Sequence, residues 1–93
     1  MEKKVRAHAI ISGRVQGVFF RVETKRAAER DQVAGWVRNR RDGTVEAVFE
    51  GEKKRVEATL AWCGKGPPHS LVENVKVQWQ EYSGAFTDFG ITH

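Results

Sequence analysis

The sequence predicts an α+β fold of the split βαβ, ferredoxin-like type: βαββαβ with a short C-terminal strand, a largely antiparallel sheet and two helices on one face, an α/β sandwich. Three observations carry this. Val5, Ala7, Ala9 and Ile11 recur at every second position, and Val45, Ala47 and Phe49 do so again, the period of a half-buried strand. Two stretches, 20–30 and 52–63, are rich in helix formers and space their apolar residues as a helix does. Between them Arg40-Arg41-Asp42-Gly43 is a polar turn whose Asp-Gly pair closes a hairpin.

Taken in order, the first strand starts at Val5 and is stopped by Gly13. The first helix, 20–30, lacks proline and glycine and places Phe20, Thr24, Ala27 and Ala28 along one face, a small-residue contact surface. Residues 33–39 form the second strand and pair through the turn with the third, which carries Val45, Ala47 and Phe49. The second helix aligns Val56, Leu60 and Cys63 at i, i+4 and i+7, and Gly64 and Gly66 end it with Pro67-Pro68 behind. Val75, Val77 and Trp79 mark a fourth strand, and Phe89 and Ile91, beyond the Ser83-Gly84 turn, a last short one. No linker, repeat or low-complexity segment interrupts residues 1–93, which read as a single domain.

Composition narrows the function. With 93 residues, 40% of them hydrophobic, the chain is long enough for a modest core without metal or disulfide support. Met1-Glu2-Lys3-Lys4 lacks the apolar stretch of a secretory leader, and no run approaches the roughly 20 apolar residues of a membrane span; the reading is a soluble, cytoplasmic monomer. One cysteine and three scattered histidines match no zinc spacing, so neither a metal nor another cofactor is expected. A net charge of +4 suits anionic partners, phosphorylated small molecules or nucleic acid.

The segment between the first strand and first helix holds the main chemical signal: Gly13-Arg14-Val15-Gln16-Gly17-Val18-Phe19-Phe20-Arg21. Its glycines permit positive φ, so successive N–H groups can point into one concavity and merge with the free amides of the helix start, a cradle for an oxyanion. Arg21 falls in the first helical turn, where its guanidinium can add two charge-assisted bonds to a phosphate. A cation there opposes the helix dipole, which favours a functional role over a stabilising one. The competing reading is a plain strand-to-helix turn with a solvated arginine. The pattern is neither an ATPase P-loop nor a dinucleotide fingerprint. In the hairpin, Asn39 shares a strand face with Val37 and so points toward the helices, where its amide needs partners; the alternative is that it closes the turn on nearby backbone.

Two motifs, Gly13-x-Val15-Gln16-Gly17-Val18-x-Phe20-Arg21 and Gly35-Trp36-Val37-Arg38-Asn39-x-x-x-Gly43-x-Val45 with Gly51 after it, resemble the two signatures of the acylphosphatase family. Gly66-Pro67-Pro68 and Thr87-Asp88-Phe89 are similar to the same family, so the resemblance spans essentially the whole chain. It implies metal-independent hydrolysis of the carboxyl-phosphate bond of a small acyl phosphate, with inorganic phosphate as product. By position it implies that the cradle is Arg14, Val15, Gln16, Gly17, Val18 and Phe19, that Arg21 binds phosphate, and that Asn39 positions the attacking water. Two departures bear on stability: Asp31 and Gln32 replace an apolar residue and a frequent glycine at the end of the first helix, and the terminus Gly90-Ile91-Thr92-His93 lacks the usual aromatic.

The remaining candidates read blandly. Cys63 lies on an apolar helix face and is a core residue rather than a nucleophile. His8, His69 and His93 are surface or interface groups, and Lys53-Lys54-Arg55 a solvated face. Arg38, Arg40 and Arg41 either steer anions or serve solubility. Two rival functions remain: a domain that binds an acyl phosphate such as carbamoyl phosphate without turning it over, and a ferredoxin-like nucleic-acid module. The second is disfavoured because neither 5–12 nor 44–50 supplies the required alternating aromatics.

Overall fold

The computed structural model describes residues 3–93, and Met1-Glu2, read above as lacking an apolar leader, lies outside them. The elements follow the predicted order: β1 (Lys4–Arg14), α1 (Phe20–Arg30), β2 (Ala34–Asn39), β3 (Val45–Glu52), α2 (Lys53–Lys65), β4 (Leu71–Gln80) and β5 (Phe89–Ile91). They form one sheet in the order β4-β1-β3-β2-β5, antiparallel except for the β2–β5 pair. β3 lies between β1 and β2, and β1 between β3 and β4, so two split βαβ units interleave.

Register explains the core. Ala9 lies opposite Ala47 and Ala47 opposite Val37, while Ile11 meets Val45 and Ala7 meets Phe49, all fully buried on one face. Onto that face α1 lays Phe20, Thr24, Ala27 and Ala28, and α2 lays Val56, Thr59 and Cys63. Each fully buried large side chain, such as Phe20 or Ile11, contributes about 1.5–3 kcal/mol. Phe20 packs against Trp62 with ring centroids 5.6 Å apart, which fixes the start of α1 against α2.

Four boundaries differ from the sequence reading, one being β2, which starts at Ala34 and leaves Val33 outside it. Gly13 does not stop β1: the strand continues to Arg14, opposite Leu71, through a register shift between Ser12 and Gly13. At φ 118° and with the Leu71 carbonyl oxygen only 2.0 Å from where a Cβ would sit, Gly13 lets β4 close against the bulge. Glu52 ends β3 and caps α2 rather than belonging to the helix, and α2 passes through the exposed Gly64 to Lys65 before Gly66, at φ 72°, ends it. A single exposed helical glycine costs about 1 kcal/mol against alanine, too little to break a helix anchored by packing.

The end of α1 shows what Asp31 and Gln32 do. Val33 N–H donates to the Ala28 carbonyl and Gln32 N–H to that of Glu29, a Schellman closure with Gln32 left-handed at φ 57°. The Asp31 carboxylate pairs with Arg30 and accepts the Thr59 hydroxyl at 2.9 Å, which ties α1 to α2. The face away from the helices is polar. Glu46 there meets His8 and Arg38, each at 2.6 Å, and Glu50 accepts Ser83 N–H, Ser83 hydroxyl, Gly84 N–H and Arg6.

Candidate active site

The loop 15–19 leaves the sheet beside β4 and turns into α1 through two residues of positive φ, Gly17 at 76° and Phe19 at 60°. For Gly17 that conformation is free of strain, whereas a left-handed phenylalanine costs on the order of 1 kcal/mol. Phe19 is the N-cap of α1 and supplies no side-chain cap; the first helical bond is Glu23 N–H to its carbonyl. Among the described residues the amides of Gly17 through Val22 meet no acceptor, and they lie at the positive end of the α1 dipole.

Arg21 stands in the first turn of α1, partly buried and, among the described residues, without an ion pair or hydrogen bond. It shares a cavity of about 220 Å³ with Val15, Gly17, Phe19, Phe20, Val22 and Asn39. Asn39, the last residue of β2, keeps the helix-side parity of the fully buried Val37. Its Oδ1 is buried with no partner among the described residues. Leaving a buried acceptor unmatched costs about 1–3 kcal/mol, which sets this atom apart among the described residues.

Gln16 holds the two halves of the site together. Its side-chain amide donates at 2.7 Å to the Arg40 carbonyl and at 2.9 Å to that of Thr44, clamping the loop to the β2–β3 turn beside Asn39. The turn is closed independently: Asp42 accepts the Thr44 hydroxyl and amide, so nothing there requires Asn39. Arg38 is engaged on the opposite face, against Glu46 and over the Trp36 ring, which leaves Arg40 and Arg41 as the cations of the turn.

Of the residues singled out in the sequence, Val15, Gly17, Phe19, Arg21 and Asn39 line one cavity. Val15 is itself a core side chain. Arg14 does not belong to the loop: it ends β1, exposed, because the bulge at Gly13 prolongs the strand by one pair. Val18 packs against the core, and Gln16 braces the hairpin. The sequence reading missed Phe20 and Val22 as lining residues. Val22 had a signal, being an apolar residue off the buried face of α1; the Gln16 clamp had none, because its acceptors are backbone carbonyls far along the chain. Cys63 is sealed in the core, and burial pushes its thiol up to about 12, so it stays protonated. His8 is bonded to Glu46, His69 lies in the loop after α2, and His93 lies near Arg41 outside the cavity. A larger groove of about 650 Å³ at the other end of β1, lined by Lys4, Lys53, Trp79 and Tyr82 among others, holds no unmatched buried polar atom.

Among the described residues, loop amides without an acceptor, an arginine without a partner and an asparagine whose Oδ1 is buried and unmatched come together in a ferredoxin-like sandwich, the features of a small phosphate-handling protein. The acylphosphatase family model matches residues 7–91, and the chain belongs to that family as an enzyme. It is 53% identical over 88 residues to an acylphosphatase of Pelotomaculum thermopropionicum, covering 95% of this chain and 96% of that one. Against an acylphosphatase of Pyrobaculum aerophilum it is 56% identical over 87 residues, covering 92% of each. The crystal structure of acylphosphatase from Bacillus subtilis superimposes with a TM-score of 0.92 at 32% identity, over 96% of this chain and 99% of that one. Among the described residues no helix is long and apolar enough to cross a membrane.

Proposed function

We propose that this chain, acting as one domain of residues 1–93 and as a cytoplasmic monomer, hydrolyses small acyl phosphates to carboxylate and inorganic phosphate. The unmatched, buried Oδ1 of Asn39, a residue that lines the same cavity as Arg21, carries the reading. The amides of the loop and of the first turn of α1 hold the phosphoryl oxygens, and Arg21 offsets charge that builds on them. Asn39 accepts a hydrogen of the attacking water and holds it in line with the breaking bond. The water oxygen bonds to phosphorus, the bond from phosphorus to the acyl oxygen breaks, and the carboxylate leaves with the electron pair. The proton passes to a phosphoryl oxygen of the substrate, because the lining contains no carboxylate or imidazole to take it.

The leaving group makes this sufficient. A carboxylate departs unprotonated, since its acid has a pKa near 4, so no general acid is needed. The same lining offers no carboxylate or imidazole to ligate a metal, which supports a metal-independent reaction. Nucleic acid is disfavoured by the face away from the helices, where β1 and β3 present Arg6, His8, Ile10, Glu46, Val48 and Glu50, with two carboxylates at the centre and no aromatic.

The test is turnover of benzoyl phosphate with a chelator present. Arg21→Ala loses phosphate affinity and turnover together, whereas Asn39→Ala loses turnover by about a hundredfold or more and still binds inorganic phosphate as an inhibitor. A folded Asn39→Ala with near-normal turnover overturns its role. A wild type that binds acyl phosphate without turnover restores the binding-domain reading.

A further inference from the structure

The hydrolytic reading accounts for the amides, Arg21 and Asn39, but not for Phe19. This ring is 79% exposed, although it sits on a left-handed residue where an asparagine or glycine would fit without strain. It takes no part in the core, since α1 buries Phe20, Thr24, Ala27 and Ala28, and Val22 beside it is likewise exposed at 41%. Both line the cavity of Arg21 and Asn39. That cavity has a volume of about 220 Å³. Apart from Arg21 and Asn39, which the phosphoryl group and water engage, every side chain around it is apolar.

Resting on the hydrolytic reading, we infer that Phe19 and Val22 form an apolar wall that receives the acyl group of the substrate, so that the site selects aryl and other apolar acyl phosphates over acetyl phosphate. An aromatic acyl group gains a ring contact and covers exposed apolar surface, which a methyl group does only slightly.

The test separates binding from turnover. Benzylphosphonate and methylphosphonate keep the charged head and cannot be hydrolysed as acyl phosphates, so calorimetric titration reads the wall alone. The wild-type chain is expected to bind benzylphosphonate about five- to tenfold more tightly. In Phe19→Asn, which tolerates the left-handed backbone, that ratio falls below about twofold, and in Phe19→Tyr it is retained. Equal affinities in the wild type, or a ratio unmoved in a folded Phe19→Asn, overturn the wall. A wild type that keeps the ratio yet never hydrolyses benzoyl phosphate upholds the wall and overturns hydrolysis.

Discussion

At Gln32 a single backbone angle decides stability. The Schellman closure of α1 needs a left-handed residue after the C-cap, and Gln32 supplies it at φ 57° with its side chain in solvent. Glycine removes the steric cost of about 1–2 kcal/mol but gives back part of it as freedom in the unfolded chain. Gln32→Gly is therefore expected to raise the unfolding free energy by about 0.5–1 kcal/mol, read from the urea midpoint at unchanged slope. An unchanged or lower midpoint contradicts this account. The sequence showed that glycine was missing here, but not that the helix still closes by the same bonds.

The loop and hairpin form the site only when held together, and Gln16 is their direct side-chain tie. Gln16→Ala removes both bonds, freeing the turn that carries Asn39 to move relative to Arg21. Because misplacement by an ångström weakens in-line attack, kcat is expected to fall about tenfold or more. The amides and Arg21 remain, so inhibition by inorganic phosphate should weaken less than about threefold. Gln16→Glu, whose carboxylate cannot donate to the two carbonyls, should behave like Gln16→Ala. A fall in phosphate binding matching the fall in kcat would instead assign Gln16 to the cradle. Steady-state kinetics with phosphate as inhibitor decide between them.

Over the whole molecule the polar sheet face sets the acid limit. Burial raises the Glu50 pKa, but the Ser83 amide and hydroxyl, Arg6 and the Gly84 amide together hold it below the ordinary value. Burial likewise raises Glu46, and the bonds from His8 and Arg38 outweigh it. A carboxylate with a lowered folded pKa is charged in the fold at a pH where the unfolded chain has begun to bind protons. Its stabilisation is therefore complete above the unfolded value, about 4.3, and is lost as the pH falls through the folded one. The melting temperature should hold from pH 7 to about 5 and drop below that. Glu50→Gln should cost about 1–3 kcal/mol at pH 7 and flatten the acid limb. An acid limb as steep as that of the wild type would remove Glu50 from this role.

The sequence by itself determined the order of elements, the buried parity of β1 and β3, and the loop with Arg21, because period and glycine placement are local properties. It also placed Asn39 on the helix side, since parity along a strand follows from Val37 alone. Only the tertiary structure decided that Arg14 ends β1, that Gln16 clamps the hairpin, and that Phe19 and Val22 stand open beside Arg21. Each of these depends on a partner distant in sequence: Leu71 across the bulge, the carbonyls of Arg40 and Thr44, and Asn39 across the cavity. Packing between the helices and the sheet brings them together, and no local pattern encodes which of the exposed apolar residues end up facing the site.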